Sequence, residues 1–237
     1  METDRAVVGS AVPAGTALEL GTSRELASDF FCQRRELGVL NLGASGTITV
    51  DGRVYAMGPR DGLYVGRGSR EVRFASDDPA RPAQYYLVSY PAHAAHPTAH
   101  APAASAARMH LGSAEGANDR TIHKYIHAEG IRSCQLVMGI TTLAAGSVWN
   151  TMPCHTHARR SEIYLYFDLP ADHVILHLMG RPEETRHLVI RDRQAAISPG
   201  WSIHSACGTS AYSFAWAMGG ENQEFTDMDP VPMGSLA

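Results

Sequence analysis

The chain has 237 residues, of which 19% are charged and 44% hydrophobic, with a formal net charge of −4; this suits an ordinary globular protein with a sizeable core, either one large all-β domain or two small ones. The charge offers no basic footprint for nucleic acid, and no run approaches the roughly 20 apolar residues of a membrane span. The first thirty residues lack a basic stretch followed by a long apolar one, so the expectation is a cytoplasmic protein with no membrane partner.

Residues 1–29 are rich in Gly, Ala and Thr, with one short apolar run at Ala6-Val7-Val8 and a turn at Pro13. From Phe30 to Tyr90 the signals alternate between strand and turn. V-L-N-L is followed by G-T-I-T-V-D-G-R-V-Y, in which Asp51-Gly52 is a two-residue hairpin turn, and then by E-V-R-F-A and Y-Y-L-V-S-Y. Short strands with Gly and Pro punctuation predict a small antiparallel barrel or sandwich over residues 1–90. Residues 91–116 read A-H-A-A-H-P-T-A-H-A-P-A-A-S-A-A and predict a solvated connector. His93, His96 and His100 fall there, but a mobile Ala/Pro segment does not preorganise metal ligands. Strands resume in residues 117–237 with T-I-H-K-Y-I-H, C-Q-L-V-M-G-I-T-T-L, H-V-I-L-H-L-M-G, R-H-L-V-I, Q-A-A-I-S-P and A-Y-S-F-A-W-A-M. No long amphipathic helix is predicted anywhere. Cys32, Cys134, Cys154 and Cys207 form no C-x-x-C and are expected as free thiols of a reducing compartment, with Cys154 a small buried residue.

The chemistry concentrates between Asn150 and Leu169, where His155, His157 and Glu162 fall within eight residues. Histidines at i and i+2 of a strand share a face and can reach one cation. Glu162 has the opposite parity, so Ala158 to Ser161 must turn for the carboxylate to rejoin them, as a β-hairpin lip around a metal. His204, in S-P-G-W-S-I-H-S, follows a Pro-Gly turn and opens a strand that ends in Tyr212 to Met218; it is the best-placed fourth ligand. Three imidazoles and a carboxylate suit Zn²⁺, Mn²⁺, Fe²⁺ or Ni²⁺. An internal echo, Q-R-R-E-L-G-V-L-N-L against A-R-R-S-E-I-Y-L-Y-F-D-L with one residue deleted, suggests two copies of one fold and places Glu36 near the role of Glu162. No histidine lies between Met1 and Tyr90, so the first copy is expected to carry no such metal site.

These two segments resemble the paired motifs of the cupins, with Trp201 where the second motif normally has glycine. The wider text, T-M-P-C-H-T-H-x-R-R-x-E-x-Y-x-Y-F, M-G-x-P-x-E-T-R-H, I-S-P-x-W-S-I-H-S and G-E-N-Q-x-F-x-D-M-D, is similar to the 5-keto-4-deoxyuronate isomerase family from about Asp4 to about Asp229. The resemblance implies an all-β bicupin of two double-stranded β-helix barrels, metal-free in its first half and metal-bearing in its second. It further implies a zinc-dependent ketol-isomerase of pectin breakdown, acting on 5-dehydro-4-deoxy-D-glucuronate as a hexamer. Family members carry a few dozen more residues upstream, so the chain is expected to begin inside the family pattern.

Such a reaction needs a base, and Glu162 (if the metal releases it), His187 and Tyr164 are the candidates. It also needs a cation for the substrate carboxylate, for which Arg159, Arg160 and Arg186 stand available. Trp201 either closes the pocket over the sugar or fills the barrel mouth. Tyr164 and Tyr166 share parity with Glu162 and are expected to face the cavity, whereas Ile163, Leu165 and Phe167 face the opposing layer. His123, His127, His173 and His177 lack partnered motifs and read as structural. The competing readings are a related 5-deoxyglucuronate isomerase, a metal-dependent cupin dioxygenase and a non-catalytic sugar-binding cupin.

Overall fold

The computed structural model describes residues 3–237. In the first half the chain builds β1 (Val7–Ala11), β2 (Leu18–Glu19), β3 (Arg35–Asn41), β4 (Gly46–Val50), β5 (Arg53–Met57), β6 (Gly62–Val65), β7 (Val72–Ser76), β8 (Tyr85–Pro91) and β9 (Ala99–Ala101). These form two antiparallel sheets, ordered β1-β8-β3-β6-β9 and β2-β7-β4-β5. The β4–β5 hairpin turns at Asp51 and Gly52, both at positive φ (47° and 80°), the turn that matches strand twist and favours an Asp-Gly pair.

The second half builds β10 (Ala107–Leu111), β11 (Arg120–Ile126), β12 (Val137–Leu143), β13 (Trp149–Asn150), β14 (His155–Thr156) and β15 (Arg160–Phe167). It continues with β16 (Ile175–Arg181), β17 (Glu184–Ile190), β18 (Ala195–Ser198), β19 (Ile203–Gly208), β20 (Ser213–Gly220) and β21 (Asp229–Pro230). Its main sheets run β10-β11-β12-β20-β15-β18 and β13-β19-β16-β17, and β14 pairs with β21. The order β1-β8-β3-β6 reappears as β12-β20-β15-β18, and β2-β7-β4-β5 as β13-β19-β16-β17. The chain therefore repeats one two-sheet barrel, which is the all-β duplication expected from the sequence. Helical structure among the described residues is limited to short 3₁₀ turns.

Residues 91–116 are not all connector. Ala99–Ala101 pairs with β6 of the first half and Ala107–Leu111 pairs with β11 of the second, so the segment gives a strand to each. We place the divide between halves at the 3₁₀ turn Ala103–Ser105 that separates these strands.

Strand parity sorts the core. On β3, Leu37 and Val39 enter the first barrel with Ile48, Met57, Leu63 and Phe74, while Leu40 faces the other way. There it joins Tyr64, Tyr86 and Val88 against Met138, Ile163, Phe167 and Ala217 of the second half. The halves share this apolar layer, and Gly38 lets them close on it, since a Cβ there would lie 2.7 Å from both Leu136 and Met138. On β15, Glu162, Tyr164 and Tyr166 turn into the second barrel while Ile163, Leu165 and Phe167 take the shared layer, as parity predicts.

Glu36 does not reproduce Glu162. The one-residue deletion in the echo reverses the face it occupies, because a strand alternates with period two. Its carboxylate, fully buried, accepts hydrogen bonds from Tyr64 Oη (2.8 Å) and from the backbone N–H groups of Cys134, Gln135 and Leu136 (2.6, 2.8 and 2.8 Å). It is a strap between halves, fixing the chain just before β12.

Candidate metal centre and cavity

His155 lies on β14, whose partner is β21 near the C-terminus rather than β15, so the expected hairpin lip is instead a strand pair with the chain's tail. The chain turns at Ala158 and Arg159, anchored by His157 N–H to the Gly200 carbonyl (3.0 Å) and Arg160 N–H to the His157 carbonyl (3.2 Å). β15 then starts at Arg160 and presents Glu162 to the same interior as the histidines. His204 is the second residue of β19; that strand ends at Gly208, and the apolar run expected to continue it forms the separate strand β20.

The four side chains converge. His155 Nε2 lies 3.1 Å from His157 Nε2 and 2.9 Å from His204 Nε2, and Glu162 Oε2 lies 2.9 Å from both His157 Nε2 and His204 Nε2. All four ligand atoms fall within 4.8 Å of one another, and His157, Glu162 and His204 are buried. Burial, reinforced by His204, lowers the His155 pKa to about 3, which keeps its imidazole neutral as a metal ligand requires. Burial opposes ionisation of Glu162, but the neighbouring His204 and His157 outweigh it and hold the carboxyl below its usual range. His157 Nδ1 donates to the Asp227 carbonyl (2.8 Å), which commits Nε2 to the cluster. The donor set fits a divalent ion. Three imidazoles and a carboxylate would hold such an ion here.

His155, His157 and Glu162 of the cluster line a cavity of about 330 Å³. Phe214, Trp216 and Met218 of β20 and Ile122 of β11 supply apolar walls, and Phe225, Met228 and Pro230 from the C-terminal segment cover it. Tyr164 lines it with its phenol 3.1 Å from Thr151 Oγ1; burial, then the Glu162 charge, push that phenol well above its usual range. Cys154 is buried, as expected, and also lines the cavity. Tyr166 sits deeper, bonded to His177 Nδ1 at 2.7 Å, with both residues fully buried.

The other expected site residues do not line the cavity. His187 and Arg186 are exposed on the edge strand β17, with Arg186 paired to Glu184, and Trp201 is 51% exposed at the turn before β19. Arg159 bonds Asp227 (Nε to Oδ1, 2.7 Å) and Asp229 (3.0 Å). Arg160, 2% exposed, donates to the carbonyls of Glu224 (2.5 Å), Phe225 (3.4 Å) and Asp227 (2.8 Å). Neither arginine lines the cavity: Arg160 is buried and Arg159 partly exposed, and together they tie the C-terminal segment to the start of β15. Removing Arg160 would free the carbonyl that orients His157, so Arg160→Met should weaken metal binding about 10–100-fold, as read by chelator competition.

The sequence reading passed over Arg120, which lines the cavity from β11 in phase with Ile122. A cationic side chain in phase with an apolar core residue was the available signal.

The sequence pattern of the KduI/IolB family matches residues 2–231. Three relatives carry the name 4-deoxy-L-threo-5-hexosulose-uronate ketol-isomerase. The Caldicellulosiruptor bescii protein is 52% identical over 233 residues, covering 98% of this chain and 84% of its own. The Shouchella clausii protein is 54% identical with the same coverages, and the Kineococcus radiotolerans protein is 54% identical over 236 residues, covering 98% and 85%. Among solved structures, an IolB-like protein from Salmonella typhimurium superposes with a TM-score of 0.76 at 13% identity, covering 92% of this chain and 85% of that one; it supports the fold.

Proposed function

The chain belongs to the KduI/IolB family, and on that premise we propose that it is a ketol-isomerase interconverting 5-dehydro-4-deoxy-D-glucuronate and 3-deoxy-D-glycero-2,5-hexodiulosonate, a step of pectin and uronate breakdown. The observation that carries this reading is the convergence of His155, His157, Glu162 and His204, the first three lining a 330 Å³ cavity, in a chain 52–54% identical to proteins named for that activity. The IolB-like structure, at 13% identity, gives no comparable support for the 5-deoxyglucuronate isomerase reading.

An aldose–ketose isomerisation moves one proton between adjacent carbons and another between their oxygens. We assign zinc to the cluster on the family resemblance, with Mn²⁺, Fe²⁺ and Ni²⁺ compatible with the same ligands; elemental analysis of the purified protein decides. Such an ion supplies Lewis-acid stabilisation of the charge that develops on the two oxygens. The chain's own groups do the rest. Of the three expected proton-transfer residues the cavity contains Glu162 and Tyr164. Glu162 serves as base for the carbon-bound proton only if the metal releases it. Tyr164, held protonated, has the state needed to donate to a substrate oxygen and pass the second proton across.

Turnover of the keto-deoxyuronate by the purified, metal-loaded protein tests the reading, and its absence would refute it. Tyr164→Phe should lower kcat about 10²–10⁴-fold, leaving metal content unchanged and KM within a few-fold. A homo-oligomer, hexameric by family resemblance, is expected on sedimentation of the same sample.

A further inference from the structure

A second cavity, of about 310 Å³, lies at the seam between the halves. It is lined by His100 of β9, Ser105 of the 3₁₀ turn, Lys124 and Tyr125 of β11, and His127 and Glu129 of the loop that follows. None of these residues lines the cavity beside the metal cluster. The seam cavity gathers unspent donors. Among the described residues, Lys124 has no carboxylate within ion-pair distance, and the buried side chains of Tyr125 and His127 make no hydrogen bond. His100 Nε2 is buried without a hydrogen-bond partner. Asp61 Oδ2 lies 3.5 Å from it, but that carboxylate already accepts the backbone N–H groups of Gly58 and Ala103, both at 2.8 Å. Glu129, the carboxylate among the lining residues, is exposed and pairs with neither Lys124 nor His127.

Buried donors without acceptors cost free energy, and a ligand that supplies the acceptors recovers it. Burial pushes the Tyr125 phenol up to about 12, so it stays a donor. Burial, then the Lys124 charge, lower the His127 pKa, so that ring offers an N–H rather than a second cation. An ammonium ringed by neutral donors suits a ligand with several oxygens and a negative charge. The Lys124 ammonium meanwhile sits 5.3 Å from the ring centroid of Phe225, which packs on Trp216 at 5.4 Å, and both of these aromatic residues line the cavity beside the metal cluster. We propose that the seam cavity is a second ligand site, taking a small oxyanion (a carboxylate or a phosphate) on Lys124, Tyr125 and His127, and that its occupation draws Lys124 off Phe225 and weakens substrate binding next door. An oxyanion holds an ammonium more strongly than a ring face does, and by linkage the substrate weakens the oxyanion by the same factor.

The test titrates inorganic phosphate, and separately succinate, into the metal-loaded protein at constant ionic strength kept with KCl. Heat of binding and tryptophan fluorescence are both followed. One of the two anions, or each, should bind with a Kd of about 1 mM or below, and the fluorescence change should vanish in Trp216→Phe while the heat remains. Lys124→Met should weaken binding about 10–100-fold and His127→Gln by less, in proteins whose melting temperatures show them folded. The bound anion should raise KM for the keto-deoxyuronate in the parent and leave it unchanged in Lys124→Met. Absence of binding by either anion, or equal binding by the parent and both folded variants, would overturn the site. Equal inhibition of the parent and Lys124→Met would overturn the coupling, by placing the anion at the metal cluster. A parent that binds the anion at Lys124 but does not turn over the keto-deoxyuronate would refute the functional reading and leave the second site standing.

Discussion

Glu36→Ala is expected to cost about 4 kcal/mol of stability, because it strands the buried Tyr64 hydroxyl and Leu136 N–H and the part-buried N–H groups of Cys134 and Gln135; a buried group costs about 1–3 kcal/mol when unpaired. Against a total of about 5–15 kcal/mol, that should lower the melting temperature by roughly 10 °C or more for a chain of this size. Since the carboxylate joins β3 of the first half to residues 134–136 of the second, the loss should also loosen the coupling of the halves and broaden the denaturant transition. Metal content of the folded fraction should stay at the parent level. The opposite pattern, an intact melting temperature with lost metal or turnover, would return Glu36 to the role its sequence echo suggested.

Glu162→Gln is the second large effect, and it falls on chemistry rather than fold. The amide keeps the shape of the side chain but removes the charge that His157 and His204 converge on at 2.9 Å. Metal affinity should collapse, and turnover should fall by about 10³-fold or more, the equivalent of about 4 kcal/mol of transition-state stabilisation. Saturating substrate should not restore it. Near-parental turnover by a metal-free Glu162→Gln protein would remove the cluster from the mechanism.

Much of this was legible in the sequence because strand parity is a local rule. Two histidines two apart, a forced turn within Ala158 to Ser161, and the split of Glu162, Tyr164 and Tyr166 from Ile163, Leu165 and Phe167 all follow from period two; the structure shows each, with the turn confined to Ala158 and Arg159. The same rule, followed through the deleted residue of the echo, reverses the face of Glu36. What could not be read locally is how distant segments engage one another. Arg159 meets Asp227 across 68 positions, and β14 finds its strand partner in β21, so an Arg-Arg pair that looked free was already committed. Residues 91–116 misled in another way: their Ala-rich composition hides two short strands whose partners supply the order that their own side chains do not. Arg120 was readable in phase with Ile122, but only the folded barrel shows that it lines the same cavity as His155, His157 and Glu162.

The most direct measurement is a metal titration of the chelator-stripped protein, with turnover of the keto-deoxyuronate followed at each addition. Activity should rise in proportion to bound metal and saturate at one ion per chain, and the Glu162→Gln protein should show neither binding nor activity. Turnover by the stripped protein that is indifferent to added metal, or a folded parent that binds one ion per chain and leaves the substrate untouched, would contradict it.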